Sequence, residues 1–171
     1  DESKNKIYAL NNGTNLLATM SVEDGEDAEG NKLRSISYDL HDMGYNVGII
    51  SSVPVNHATP SAFYANSESR YDYYSITEQL PGSGFEYFAA AGMINYYGDD
   101  DENPKDGADI MLEKQGVNVC FSIEEAEEAI KNGDMMLVCQ PYNKNREASN
   151  YDAGGATPAD HISLAQMLEL G

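Results

Sequence analysis

His57, Thr59 and Arg70 are the residues of this chain whose types and spacing invite chemistry. They lie in the stretch Asn56-His57-Ala58-Thr59-Pro60-Ser61-Ala62-Phe63-Tyr64-Ala65, with Ser69-Arg70 shortly after it. The apolar run Val47-Gly48-Ile49-Ile50 precedes it. A strand that runs into a loop holding an imidazole, a hydroxyl and then an arginine is where open α/β enzymes place a site. Tyr64, Tyr71, Tyr73 and Tyr74 flank Arg70. Rings beside a guanidinium suit a ligand grip, or else pack as amphipathic rings at a helix–sheet boundary. The Thr59-Pro60 pair also reads as a plain helix start, with Thr59 as cap and Pro60 at the first helical position.

Alternating elements must position these residues. Leu33, Ile36, Leu40 and Met43 recur at helical spacing, and Gly44 stops the run. Strands are expected at 47–50, 85–90, 117–121 and 135–139, each a short apolar run. Helices are expected at 61–65, 70–80 and 107–114. Ser122-Ile123-Glu124-Glu125 spells a capping box, with Ile123, Ala126 and Ile130 on one face and Gly133 as the stop. A last helix starts at Thr157-Pro158-Ala159-Asp160, with Ile162, Ala165 and Leu168 on one side. Continuously apolar strands alternating with helices predict an α/β fold, a three-layer sandwich with a mostly parallel sheet and helices on both faces. The organisation is a single domain over 1–171, with a polar, loop-rich lead-in at 1–31 and a long loop at 141–157.

Composition narrows the function classes. The 171 residues are 41% apolar and 23% charged, enough for one domain with a real core. Ten basic residues face 29 acidic ones, a formal charge of -19 that repels phosphate backbones and argues against nucleic acid. No apolar run approaches the roughly 20 residues that span a bilayer, so no membrane partner is expected. No basic stretch leads into an apolar one, so no signal peptide is read here. Cys120 and Cys139 form neither a disulfide framework nor a zinc pattern and read as small buried hydrophobes.

Other candidate motifs fail their own geometry. Counted from Asp99, the sixth and twelfth positions of an EF-hand loop hold Pro104 and Ile110 rather than glycine and glutamate. Gly82-Ser83-Gly84 precedes a strand, whereas a phosphate cradle needs a helix N-terminus after its glycines. His41, His57 and His161 are not spaced as a metal set. His41 reads as a surface residue near a helix end, and His161 as part of the first turn of the last helix.

The run from Gly44-Tyr45-Asn46-Val47-Gly48-Ile49-Ile50 through His57-Ala58-Thr59-Pro60 to Ser69-Arg70 resembles the alkaline phosphatase family. Members carry a strand, then Asp or His, Ala, Thr or Ser, Pro, and an arginine 13 positions after the Asp or His, which is the separation of His57 and Arg70. Asn12-Gly13 and Asp27-Ala28-Glu29-Gly30-Asn31 resemble the segment after the family's nucleophile. Ser163-Leu164-Ala165-Gln166-Met167 resembles the helix before its metal-binding Val-Glu-Gly strand.

The resemblance implies a partial alkaline phosphatase-like fold and metal-dependent phosphomonoester hydrolysis in the parent enzyme, with two zinc ions and one magnesium. Arg70 would be the phosphate clamp, since its planar fork matches two phosphoryl oxygens. Thr59 would be a hydroxyl ligand of the third metal, usually magnesium. His57 would reach that metal through water or as a variant ligand, which weakens magnesium or admits zinc. The family's serine nucleophile, in an Asp-Ser-Ala context, is absent from these residues, as is an Asp-x-x-x-His pair. The expectation is therefore an internal segment that is inactive alone, and whether it binds any metal by itself stays open. An exposed sheet edge would invite a second copy. The parent would be periplasmic or extracellular. Two alternatives remain: a non-catalytic α/β binding module using the Tyr64–Tyr74 region, and a segment of another hydrolase of the metal-dependent phosphatase and sulfatase group.

Overall fold

A computed structural model describes residues 34–98, 100, 102–140 and 161–171. The lead-in at 1–31, Leu33 of the first expected helix, the whole loop at 141–157 and the expected helix start at 157–160 lie outside the described residues. The elements run α1 (Ile36–Asp42), β1 (Gly48–Ile50), α2 (Ala58–Ser61), α3 (Tyr73–Glu78), a 3-10 turn (Pro81–Ser83), β2 (Tyr87–Ala90), α4 (Ala108–Glu113), β3 (Asn118–Cys120), α5 (Ile123–Asn132), β4 (Met136–Cys139) and α6 (Leu164–Leu170).

The four strands form one parallel sheet in the order β1-β2-β4-β3, with Ile49 opposite Phe88 and Phe88 opposite Leu137. Strand side chains alternate between faces, and both faces are buried. Ile49, Phe88, Ala90, Leu137 and Cys139 meet Tyr64, Ile76, Leu80 and Leu112 on one side. Tyr87, Ala89, Met136 and Val138 meet Ala126, Ala129, Ile162 and Met167 on the other. Helices α3 and α4 thus cover one face and α5 and α6 the other, the three-layer arrangement that the continuous apolar strands predict. Both cysteines are free and buried. Burial pushes the Cys120 thiol up to about 11 and Cys139 further in the same direction, so neither is a ready nucleophile. Among the described residues no helix is long and apolar enough to cross a membrane.

Several elements differ from the sequence expectation. In α1 the buried residue is Ser37, while Ile36, Leu40 and Met43 are exposed. Ile36 and Leu40 instead line a groove of roughly 500 Å³ with Tyr45, Phe63 and β1, an edge strand of the described sheet, and Met43 lies outside that groove. His41 is not a free surface residue: its ring packs edge-on to Phe85, and Nε2 lies 3.4 Å from Glu86 Oε1. The same carboxylate accepts from Val47 N–H at 2.7 Å, which pins the start of β1 to the start of β2.

The expected α5 capping box is half formed. Ser122 Oγ accepts from Glu125 N–H, but the Glu125 carboxylate turns to Phe121 N–H at 2.7 Å rather than to the cap N–H. Ile130 faces solvent, and the buried residues are Ala126 and Ala129. The complete capping box belongs to α6, where Ser163 and Gln166 satisfy each other's backbone N–H groups. His161 therefore precedes the helix rather than sitting in its first turn, and Met167 is buried while Leu168 is exposed. Gln140 fixes the approach to α6, since its amide both accepts from Ile162 N–H and donates to Ile162 C=O.

Candidate functional site

The loop after β1 is short and held at several points. Val55 N–H donates to Gly92 C=O, so the loop stays beside the end of β2 as it leaves the sheet. Asn56 comes next and is fully buried. Its amide nitrogen donates to Tyr73 C=O (3.1 Å), Thr77 Oγ1 (3.0 Å) and Ile94 C=O (2.8 Å), and its oxygen accepts from Ile94 N–H (2.9 Å). Two amide hydrogens serve three acceptors, so one is shared. One side chain thus joins the loop, α3 and the segment after β2. Sequence reasoning misses Asn56 because its partners lie 17 to 38 positions away and leave no local pattern.

His57 is the next residue, and it caps α2. Its Nδ1 accepts from Thr59 N–H at 3.4 Å, a long contact. The cap is His57 and not Thr59, so Pro60 sits at the third helical position. Proline costs no hydrogen bond there, because the first four N–H groups of a helix have no intrahelical acceptor. Thr59 is half-buried, and among the described residues its hydroxyl has no hydrogen-bond partner; neither has His57 Nε2. The turn continues past α2, with Ala65 N–H donating to Ser61 C=O, and the Tyr64 hydroxyl closes it by donating to Val55 C=O.

Arg70 does not lie on a helix, as the 70–80 expectation has it, but in the loop before α3. Polar side chains hold that loop open. Ser67 Oγ donates to Ser69 C=O and reaches the Asp72 carboxylate at 3.0 Å, and Ser69 Oγ accepts from Tyr71 N–H. Such local bonds compete with helix formation, and α3 begins only at Tyr73. The fold nonetheless brings Arg70 near His57. Partial burial, and after it the Arg70 charge, hold the imidazole below its ordinary 6.5.

The charge balance around Arg70 is unusual for so acidic a chain. Among the described residues Arg34, Lys105 and Lys114 each lie within 4.0 Å of a carboxylate. Arg70 and the exposed Lys131 do not. Arg70 is the half-buried one of the two. A partly desolvated guanidinium without a carboxylate partner has hydrogen-bond donors free for an anion. His57 and Thr59 thus share the α2 turn, and Arg70 lies near enough for its charge to act on His57.

Two other candidates resolve into structure. Asp100 Oδ1 accepts from Glu102 N–H and Asn103 N–H, so its carboxylate closes a turn. Among the described residues no three His, Cys, Asp or Glu side chains are grouped to hold a metal ion. Gly82-Ser83-Gly84 is a 3-10 turn ended by Gly84 in the left-handed region, where glycine carries no steric cost.

The depressed imidazole has a measurable consequence. NMR titration of His57 should give a midpoint below 6.5, and Arg70→Gln should raise it by removing the neighbouring charge. The unfolded chain takes its proton near 6.5, before the folded one does. His57 therefore contributes nothing adverse above that pH and lowers stability as pH falls toward the folded midpoint. A midpoint at or above 6.5, insensitive to Arg70→Gln, would show that the two side chains do not meet.

Comparison with known proteins bears on this region. Residues 14–96 match the family model described as alkaline phosphatase. The tissue-nonspecific isozyme of alkaline phosphatase from Rattus norvegicus is 32% identical over 128 residues, which cover 72% of this chain and 24% of that protein. The chain thus spans about a quarter of that relative's length. Among solved structures, Thermus thermophilus alkaline phosphatase superposes with a TM-score of 0.55 at 24% identity, covering 88% of this chain and 31% of that one. A variant alkaline phosphatase from the Antarctic bacterium TAB5, with magnesium bound in its M3 site, superposes with a TM-score of 0.54 at 18% identity, covering 68% and 34%. These likenesses agree on the three-layer fold.

Proposed function

We propose that this chain, which belongs to the alkaline phosphatase family through residues 14–96, supplies the phosphate clamp and part of a metal site to a phosphomonoesterase. The observation that carries this reading is Arg70, half-buried, without a carboxylate partner among the described residues, and beside a neutral His57.

Arg70 holds two oxygens of the phosphoryl group through its planar fork and offsets charge that builds on them in the transition state. His57 stays neutral at and above neutral pH, and with Nδ1 accepting from Thr59 N–H its proton sits on Nε2, which can donate to a water on the metal. Thr59 offers a hard oxygen ligand. These donors fit one edge of a magnesium site and do not complete it, since no acidic cluster accompanies them among the described residues. A divalent ion bound there would add positive charge beside the phosphoryl oxygens. In the TAB5 structures that hold magnesium, a histidine has been exchanged for glutamate or aspartate. This is the direction expected if an imidazole at such a site disfavours magnesium.

The two zinc ions and the serine nucleophile of the reading have no counterparts in the motifs of these 171 residues, which contain no Asp-Ser-Ala triplet. We therefore assign turnover to the full-length protein, exported to the periplasm or cell exterior, and none to this segment alone. A paired assay tests both statements. The full-length protein should hydrolyse p-nitrophenyl phosphate at alkaline pH with magnesium and zinc present and lose that activity to a chelator. The 171-residue segment should release nothing above the buffer rate. Metal-dependent turnover by the segment would overturn the division, and an inactive full-length protein would overturn the reading.

A further inference from the structure

Four tyrosines flank Arg70 in sequence, and the fold separates their roles. Tyr64 and Tyr74 are buried in the core. The Tyr64 hydroxyl donates to Val55 C=O, and that of Tyr74 to Asp106 C=O. They are packing residues, as boundary rings usually are. Tyr73 is half-buried and lends its carbonyl to Asn56. Tyr71 alone stands out, 66% exposed, directly after the phosphate clamp.

Exposure of one ring is ordinary, but Tyr71 is exposed in a fixed place. Its backbone N–H is held by Ser69 Oγ at 3.2 Å. Its ring meets Tyr73 edge-to-face, with centroids 6.3 Å apart at 82°. Tyr73 is tied in turn to Asn56, the residue before His57. The Arg70 guanidinium carbon lies 5.9 Å from the Tyr71 ring centroid. A phosphoryl group held by Arg70 would therefore have its ester substituent within reach of an exposed aromatic ring that Arg70 and Tyr73 already hold in place.

We propose that Tyr71 is the leaving-group platform of this site, favouring phosphomonoesters whose leaving group is an aromatic ring one ester oxygen from phosphorus. The inference rests on the assignment of Arg70 to the phosphoryl group. Stacking on a preset ring adds affinity for a planar substituent without changing the grip on phosphate. A small aliphatic ester makes no such contact.

Two non-hydrolysable probes with the same head isolate the effect: benzylphosphonate, whose CH2 stands where the ester oxygen would, and methylphosphonate, titrated calorimetrically into the full-length protein. Benzylphosphonate should bind about 3- to 10-fold more tightly. Tyr71→Ala should bring that ratio to about one, and Tyr71→Phe should keep it. A ratio near one in the unaltered protein, or a preference that survives Tyr71→Ala, overturns the platform while leaving the clamp in place. If Arg70→Ala does not weaken methylphosphonate, the clamp assignment itself fails and the platform falls with it.

Discussion

Asn56→Ala is expected to destabilise the fold by about 2–4 kcal/mol, a large share of the roughly 5–15 kcal/mol that holds a domain together. The side chain is fully buried and meets four backbone or side-chain groups on α3 and at Ile94. Alanine removes every one of those contacts and offers nothing in return. The groups left behind include Thr77 Oγ1, itself buried, which keeps only its bond to Tyr73 C=O. Equilibrium urea unfolding measures the effect as a lower midpoint at an unchanged slope. Asn56→Asp separates hydrogen bonding from size. Its carboxylate can still accept from Ile94 N–H, but it faces two carbonyl oxygens with no hydrogen to give. Protonation restores a donor, so the deficit of Asn56→Asp against the parent chain should shrink as pH falls. A loss under about 0.5 kcal/mol for the alanine variant would mean that the loop is held by other contacts.

Asn56 matters to function through its neighbours along the chain. His57 and Thr59 take their positions from a loop that this amide fastens to α3, and the chain then leads back through Arg70 into the same helix. A weakened clasp loosens both ends of the site together. Asn56→Ala should therefore reduce anion affinity even though the side chain never touches an anion.

How much of the fold and site was legible in the sequence depends on whether a feature has a local cause. The four parallel strands and the helices on both faces were, because buried parallel strands read as unbroken apolar runs. His57, Thr59 and Arg70 were legible as a motif, and the fold brings His57 and Arg70 within electrostatic reach. Their local settings were not. The helix expected from residue 70 starts at Tyr73, since Ser67 and Ser69 bind the backbone between them. His57 takes the cap expected of Thr59, because an imidazole nitrogen can accept as a serine oxygen does. The Ile36–Leu40–Met43 stripe shows true helical periodicity, yet Ile36 and Leu40 line an open groove with β1 and Met43 is exposed, so none of the three is buried. Periodicity reports that a face is apolar and says nothing of what it meets. Asn56 lies at the far end of that scale, with all its meaning in contacts distant along the chain.

Arg70→Ala in the full-length protein is expected to lower kcat/KM for aryl phosphates by about 10²–10³, the usual cost of removing one donor aimed at developing charge. The case rests on electrostatics peculiar to this chain. With 29 acidic residues against 10 basic ones, the general field opposes a phosphate dianion. Of the described cations, Arg34, Lys105 and Lys114 are committed to carboxylates, and Lys131 is exposed in the last turn of α5. Arg70 is the one whose charge acts on His57 and is not committed to a carboxylate. Arg70→Lys should recover only part of the loss, because an ammonium keeps the charge but cannot present two parallel N–H groups. A clamp that acts through charge alone would instead be fully restored by lysine. The split between KM and kcat then locates the contact. A rise in KM alone means that Arg70 grips substrate and transition state equally, whereas a fall in kcat means that its grip tightens as the phosphoryl group reacts. Unchanged kcat/KM in the alanine variant would remove Arg70 from the site and return it to the surface as an ordinary unpaired cation.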